Sequence, residues 1–130
     1  MTVITRMGTT AVWVDDGDKA YEFYAKKLGF KVTQDRKFDW GRFLMVVPPG
    51  GGTQLIVATP APGIASVQVG GESPIVWETD DIHATYEDLR AKGVEFPEPP
   101  TQQFWGGFQA AFKDASGNLY KLIQPAGRRG

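Results

Sequence analysis

The side chains most able to do chemistry in this sequence are a carboxylate and an ammonium, Glu78 and Lys121, each set in a short apolar run. Three roles are open to them. As a pair they could share a proton transfer, the carboxylate as base and the ammonium as electrostatic stabiliser of the developing negative charge. They could instead neutralise each other as a buried or half-buried pair. Or one could receive a ligand of opposite charge in a low-dielectric pocket, an anion on Lys121 or a cation on Glu78. Residue type alone does not choose among the three. Other reactive groups are scarce: the chain has one histidine, His83, and no cysteine. Thiolate ligands and disulfides are therefore excluded, and histidine-based acid-base or Ser-His-Asp catalysis has a single candidate. Rings are plentiful, and Trp13, Phe43 and Trp105 are the candidates to line a pocket for a planar ligand.

The elements that must position these residues are written twice. A tryptophan-bearing apolar strand (Trp13, Trp77), an Asp (Asp16, Asp80), an Ala four residues later (Ala20, Ala84) and a helix-ending Gly (Gly29, Gly93) recur at matching places. Thr9 to Val14 reads as a strand, and Asp16 caps a helix carrying Ala20, Phe23, Tyr24, Lys27 and Leu28 at helical spacing. Strands are expected at Phe30 to Phe38, Arg42 to Val47 and Thr53 to Ala58. Thr59 to Pro74, rich in Ala, Pro and Gly, reads as a crossover. After it come a strand at Ile75 to Thr79, a helix capped by Asp80 or Asp81, and a short strand at Val94 to Phe96. Pro97, Pro99 and Pro100 read as a turn, and Trp105 to Lys113 with Leu119 to Gln124 as a final hairpin. The order is βαβββ, twice. The expectation is one α+β domain over residues 1–130, built of modules 1–63 and 64–130 that form a curved mixed sheet around a cavity.

Two strings carry a resemblance. Val14, Asp16, Ala20, Phe23, Tyr24, Leu28, Gly29 and Phe30 resemble the V-x-D-x-x-x-A-x-x-F-Y-x-x-x-L-G-F signature of the vicinal oxygen chelate superfamily, which includes glyoxalase I, bleomycin-resistance proteins, fosfomycin-resistance enzymes and extradiol dioxygenases. Phe112, Asp114, Gly117 and Asn118 resemble its F-x-D-x-x-G-N motif. These are capping and turn residues, so they speak to fold more than to activity. The family's enzymes hold a divalent metal on four inward strand positions, which the resemblance carries onto Thr9, Ile56, Pro74 and Lys121; a slip in the third strand would bring in Leu55, Val57 or Gln54. An alkyl chain, a ring and an ammonium cannot ligate a divalent cation, and a lone threonine hydroxyl is a weak ligand. The metal centre is expected to be lost, with no cofactor in its place.

If those positions face inward, alternation places Thr9, Ala11 and Trp13 on one face, with Gln54 and Ile56, and Val76 and Glu78, and Leu119, Lys121 and Ile123 likewise. The resulting cavity is apolar, with Thr9, Gln54, Glu78 and Lys121 as its polar groups and Trp13, Phe43 and Trp105 as its rings. Trp77 faces the helix. His83 reads as an ordinary helix residue, since it would have to reach Ser66, Ser73 or Ser116 from the wrong side of the sheet. Phe104 to Gly107 reads as a lip over the groove. Pro48 to Gly52 leads into a strand and lacks a following Lys-Ser or Lys-Thr, so it reads as a hairpin loop and not a phosphate loop.

The net charge of −1 argues against a nucleic-acid partner, with Arg128 and Arg129 read as a frayed basic end. No apolar run approaches the roughly 20 residues of a membrane span, and residues 1–8 do not form a leader, so a cytoplasmic location is expected. The resemblance is nearest to the metal-free binding branch. It implies a homodimer that sequesters a partly aromatic or amphipathic small molecule between its modules or subunits; the alternative is a glyoxalase-like lyase or isomerase with Glu78 and Lys121 as its catalytic residues.

Overall fold

Local capping starts both helices where the aspartates stand. In the computed structural model, which describes residues 3–64 and 67–127, the Asp16 carboxylate accepts the backbone N–H groups of Asp18 and Lys19 at 3.0 and 3.1 Å. The Asp81 carboxylate accepts that of Ala84 at 3.1 Å. Asp81, not Asp80, is therefore the second cap. The chain divides into two compact units, Met1–Val67 and Gln68–Gly130. Ser66, Arg128 and Arg129 lie outside the described residues.

The first unit runs β1 (Thr9–Trp13), α1 (Gly17–Tyr21), β2 (Lys31–Phe38), β3 (Gly41–Val47) and β4 (Gln54–Ala58). Its sheet has the order β1-β4-β3-β2, with β1 parallel to β4 and the other pairs antiparallel. Alternation sorts the side chains: Val12, Val14, Leu44, Val46, Leu55 and Val57 are buried with Ala20, Phe23 and Tyr24 of the helical segment. The single helix expected from Asp16 to Leu28 is two pieces, because α1 widens into a π-helical stretch over Glu22–Lys27. Successive residues of an α-helix point about 100° apart, and a wider turn narrows that angle. Here it buries two consecutive rings, Phe23 and Tyr24, which meet edge to face at 5.0 Å. Gly29, at φ 71°, ends the segment.

The second unit repeats the order with β5 (Gly71–Glu78), α2 (Ile82–Ala91), β6 (Glu98–Gln102), β7 (Phe108–Lys113) and β8 (Asn118–Gln124), arranged β5-β8-β7-β6. Each unit is thus βαβββ with a four-stranded mixed sheet. Four sequence expectations change here. Val94 to Phe96 is not a strand; it looked like one because Val94 is buried and Phe96 packs on Tyr86 and Phe112. The strand is β6, which contains Pro99 and Pro100 instead of turning at them. It lies at the sheet edge, where a missing N–H leaves no ladder partner unsatisfied. β5 begins at Gly71, so Pro74 lies within a strand, in the register shift between Glu72 and Val76. The final hairpin strand starts at Phe108, and Trp105 falls in the turn before it.

Arg42 ties β3, β2 and α1 together. Its guanidinium donates to both Asp35 oxygens at 2.9 and 2.7 Å and to Asp18 at 2.9 Å, and lies 4.5 Å from the Tyr21 ring centre. A side chain at Gly17 would overlap the Arg42 Cβ, so glycine leaves room for this strut. The hydrogen bond from Arg42 is the main cause holding the Asp35 carboxyl below its ordinary value, with burial acting the other way. A carboxyl depressed in the folded state stabilises it above the unfolded value of about 4, and that contribution disappears as pH falls through the folded value. With the Asp35 side chain 31% exposed, the effect is modest, at most about 1 kcal/mol. Urea unfolding should show Asp35→Asn less stable than the parent at pH 7 and indistinguishable from it near pH 2; an equal gap at both pH values would rule out this linkage.

Candidate functional site

Each sheet has one face under its helix and one open face, and Thr9, Trp13, Phe43, Gln54, Glu78 and Lys121 fall on the open faces. In the first sheet the rows are set by pairing. Thr9 is opposite Gln54, and Ala11 is opposite Ile56, which is opposite Met45. Trp13 is opposite Ala58, which is opposite Phe43, which is opposite Arg36. Thr9, Trp13, Phe43 and Gln54 therefore share one face. Trp13, Phe43, Met45 and Ile56 are half-buried and form its apolar part. Gln54 is fixed by the Thr33 hydroxyl, which donates to its side-chain oxygen at 2.9 Å.

In the second sheet Val76 is opposite Lys121 and Glu78 is opposite Ile123, so Glu78 and Lys121 are diagonal neighbours on the open face. Both are exposed, and Val76 between them is 51% exposed. Trp77 points the other way, its ring edge-on to Tyr120 at 5.6 Å. His83 is on that helix side too, its ring 5.2 Å from Phe108, while the Ser73 hydroxyl accepts from the Ile75 N–H at 3.2 Å. Ser116 is bonded through its backbone N–H to Asp114.

Trp105 joins neither face within its own sheet. It sits in the β6–β7 turn, closed by Gly106 N–H to Gln103 at 3.0 Å and Gln103 N–H to Gly107 at 2.8 Å. A side chain at Gly107 would overlap the Trp105 ring and the Gln124 carbonyl, so the indole is folded back on its own turn. Phe104 is the projecting ring there, 98% exposed.

Sequence reading missed Lys31, Gln34 and Arg36 on the open face of β2. The cause is a register shift between Val32 and Gln34, which sets Val32 opposite Val46 but Gln34 opposite Met45, on the other face. The available signal was Asp35: a carboxylate able to meet Arg42 on the helix side forces its neighbours Gln34 and Arg36 to the open one.

The four positions that would hold a metal do not fit one. Thr9 and Lys121 are exposed strand residues, Ile56 offers only an alkyl chain, and Pro74 lies in the irregular part of β5. Among the described residues no three His, Cys, Asp or Glu side chains gather as ligands, and a divalent cation needs several oxygen, nitrogen or sulfur donors. Elemental analysis of untagged protein, after incubation with nickel, zinc, manganese and iron and thorough desalting, should find no stoichiometric metal. One bound ion per chain would show that this donor assignment is wrong.

Among the described residues no helix is long and apolar enough to cross a membrane. YetH, an uncharacterized protein of Bacillus subtilis (strain 168), is 38% identical over 121 residues, covering 92% of this chain and 98% of its own. A crystal structure from Sphaerobacter thermophilus DSM 20745, described as a member of the glyoxalase/bleomycin resistance protein/dioxygenase superfamily, is similar at a TM-score of 0.83 and 33% identity, covering 94% of this chain and 99% of that one. TnmS3, an antibiotic binding protein from Streptomyces sp. CB03234, is similar at a TM-score of 0.79 and 32% identity, covering 97% of this chain and 100% of that one. The sequence model of one family matches residues 6–122. The chain belongs to the Glyoxalase/Bleomycin resistance protein/Dioxygenase superfamily.

Proposed function

We propose that this protein binds and sequesters a small, partly aromatic or amphipathic molecule without a metal, acting as a cytoplasmic homodimer whose two modules serve as one domain. The observation that carries this reading is the 32% identity to an antibiotic binding protein over 97% of the chain. The open face of the first sheet supports it: Trp13, Phe43, Met45 and Ile56 offer apolar and aromatic surface beside the polar Gln54 and Thr33 pair. Rings of this kind stack on planar molecules, and a few fixed polar groups orient them. A poor donor set for metal and a single histidine, packed edge-on to Phe108, favour binding over turnover.

Titrating the protein with a panel of planar aromatic compounds, followed by tryptophan fluorescence and calorimetry, should find at least one that binds saturably. Phe43→Ala and Trp13→Ala should each weaken that binding about tenfold, the usual scale for a stacking ring. If no member of the panel saturates, or if replacing Trp13, Glu78 and Lys121 together leaves affinity unchanged, this reading falls.

A second reading has its own observation. Glu78 and Lys121 are diagonal neighbours on one face, the arrangement a lyase or isomerase would need, with Glu78 taking a proton next to a carbonyl and Lys121 steadying the resulting oxyanion. Turnover of an α-hydroxycarbonyl or hemithioacetal substrate, abolished in Glu78→Gln, would establish it.

A further inference from the structure

The open face of the first sheet is charged on one side only. Along β2 it carries Lys31, opposite Val47, and Arg36, opposite Phe43, with Gln34 between them opposite Met45. The remaining residues of that face, on β1, β3 and β4, are neutral, and no carboxylate among the described strand residues occurs on it. The nearest carboxylate in sequence, Asp35, points to the helix side and is held by both arms of Arg42. Lys31 and Arg36 are exposed, and neither side chain forms an ion pair with any of the described residues. The open face of the second sheet differs, since Glu72, Glu78 and Glu98 there accompany Lys121 and Lys113. In a chain of net charge −1, a face whose described strand residues carry two cations and no anion is a local choice.

We propose that the first sheet selects planar aromatic anions, with the ring system lying over Phe43, Met45 and Ile56 and its carboxylate, sulfonate or phenolate group bound by Arg36, assisted by Lys31. This rests on the small-molecule-binding reading and specifies its ligand class. The geometry fits one guanidinium at the end of the Trp13, Ala58, Phe43, Arg36 row. A ligand stacked over that row would reach the cation with a substituent at its edge. Charge-assisted hydrogen bonds from a planar guanidinium suit a carboxylate or sulfonate, and they orient the ring as well as attract it.

The test uses three probes with one ring system: 9-anthracenecarboxylate, 9-anthracenemethanol and 9-anthracenemethylamine. Affinities are read from anthracene fluorescence anisotropy and calorimetry at low salt, with Tm followed for every variant. The carboxylate should bind about tenfold more tightly than the alcohol and the ammonium more weakly than either. Arg36→Gln should remove most of the preference for the carboxylate over the alcohol; Phe43→Ala should weaken both the carboxylate and the alcohol. If the alcohol binds as well as the carboxylate, or the preference survives in the Arg36→Gln, Lys31→Gln double variant, the anion assignment is overturned while small-molecule binding stands. If none of the three probes binds while another member of the planar aromatic panel does, the anion assignment is overturned and small-molecule binding stands; if no member of the panel binds, both fall.

Discussion

Tyr120→Ala is expected to destabilise the second unit by about 3–5 kcal/mol, the range for deleting a fully buried aromatic side chain. Tyr120 has no exposed surface and stands on β8, an inner strand of the order β5-β8-β7-β6. Its ring meets Trp77 at 5.6 Å and Phe112 at 5.5 Å, so truncation opens a hole bounded by two large rings that cannot both move into it. Leu122 and Gln124, two and four residues on, face the same way and hold the start of α2: the Gln124 side-chain oxygen accepts the Ile82 N–H at 2.8 Å. The loss should therefore spread from β8 to the helix. Tyr120→Phe keeps the packing and should cost about 1 kcal/mol. Equilibrium denaturation of the two variants separates ring from hydroxyl. A Tyr120→Ala cost below about 1 kcal/mol would mean that the ring contacts do not carry the core of this unit.

The parts of the fold that were legible in the sequence are those set by near neighbours. Asp16 caps its helix with its own carboxylate two and three residues on, and Gly29 ends it by taking φ 71°, so residue type and spacing suffice. Val12 and Val14 against Thr9 and Trp13 is a parity statement within one strand, and burial follows it. What was not legible is fixed by distant partners. β6 is polar, carries two prolines, and becomes a strand only because β7 supplies its ladder. The same holds for the site. Alternation along each strand implied that Thr9 and Trp13 share a face with Gln54, and Glu78 with Lys121, and the pairing has them so. Lys31 and Arg36 have opposite parity and share a face only because of the irregularity at Thr33, so no count along β2 places both. Trp105 reads as pocket lining in the sequence; its turn, not strand parity, decides where the ring goes, and Gly107 is the residue that admits it.

Asp114→Ala should cost about 3 kcal/mol and should also disturb the open face of the second sheet. The Asp114 side chain is buried, and one of its oxygens accepts the backbone N–H groups of Ser116 and Asn118, both at 2.9 Å. The other accepts the Asn118 side-chain amide at 2.8 Å. Alanine strands all three donors in a turn where at least two are shielded from water, and each such loss is worth about 1–3 kcal/mol before relaxation. The consequence travels further because Asn118 also makes a second contact, in which its side-chain oxygen accepts the N–H of Gly70 at 2.9 Å, just before β5. Asp114 thus fixes which way the Asn118 amide points, and that amide fixes where β5 begins beside β8. Pairing of Val76 with Lys121 and of Glu78 with Ile123 lies downstream of this anchor. Asp114→Asn should not rescue the fold fully, because one of its two side-chain atoms becomes a donor. Facing Asn118, that donor meets another donor, and turning the Asn118 amide to meet it would abandon Gly70. Backbone amide exchange in β5, measured with denaturant stability, distinguishes this account from a merely local one: protection should fall at Gly71 and Glu72 first and stay higher in β2 and β3. Unchanged protection in β5 with a stability loss confined to the β7–β8 turn would sink the idea that this motif sets the register of the face.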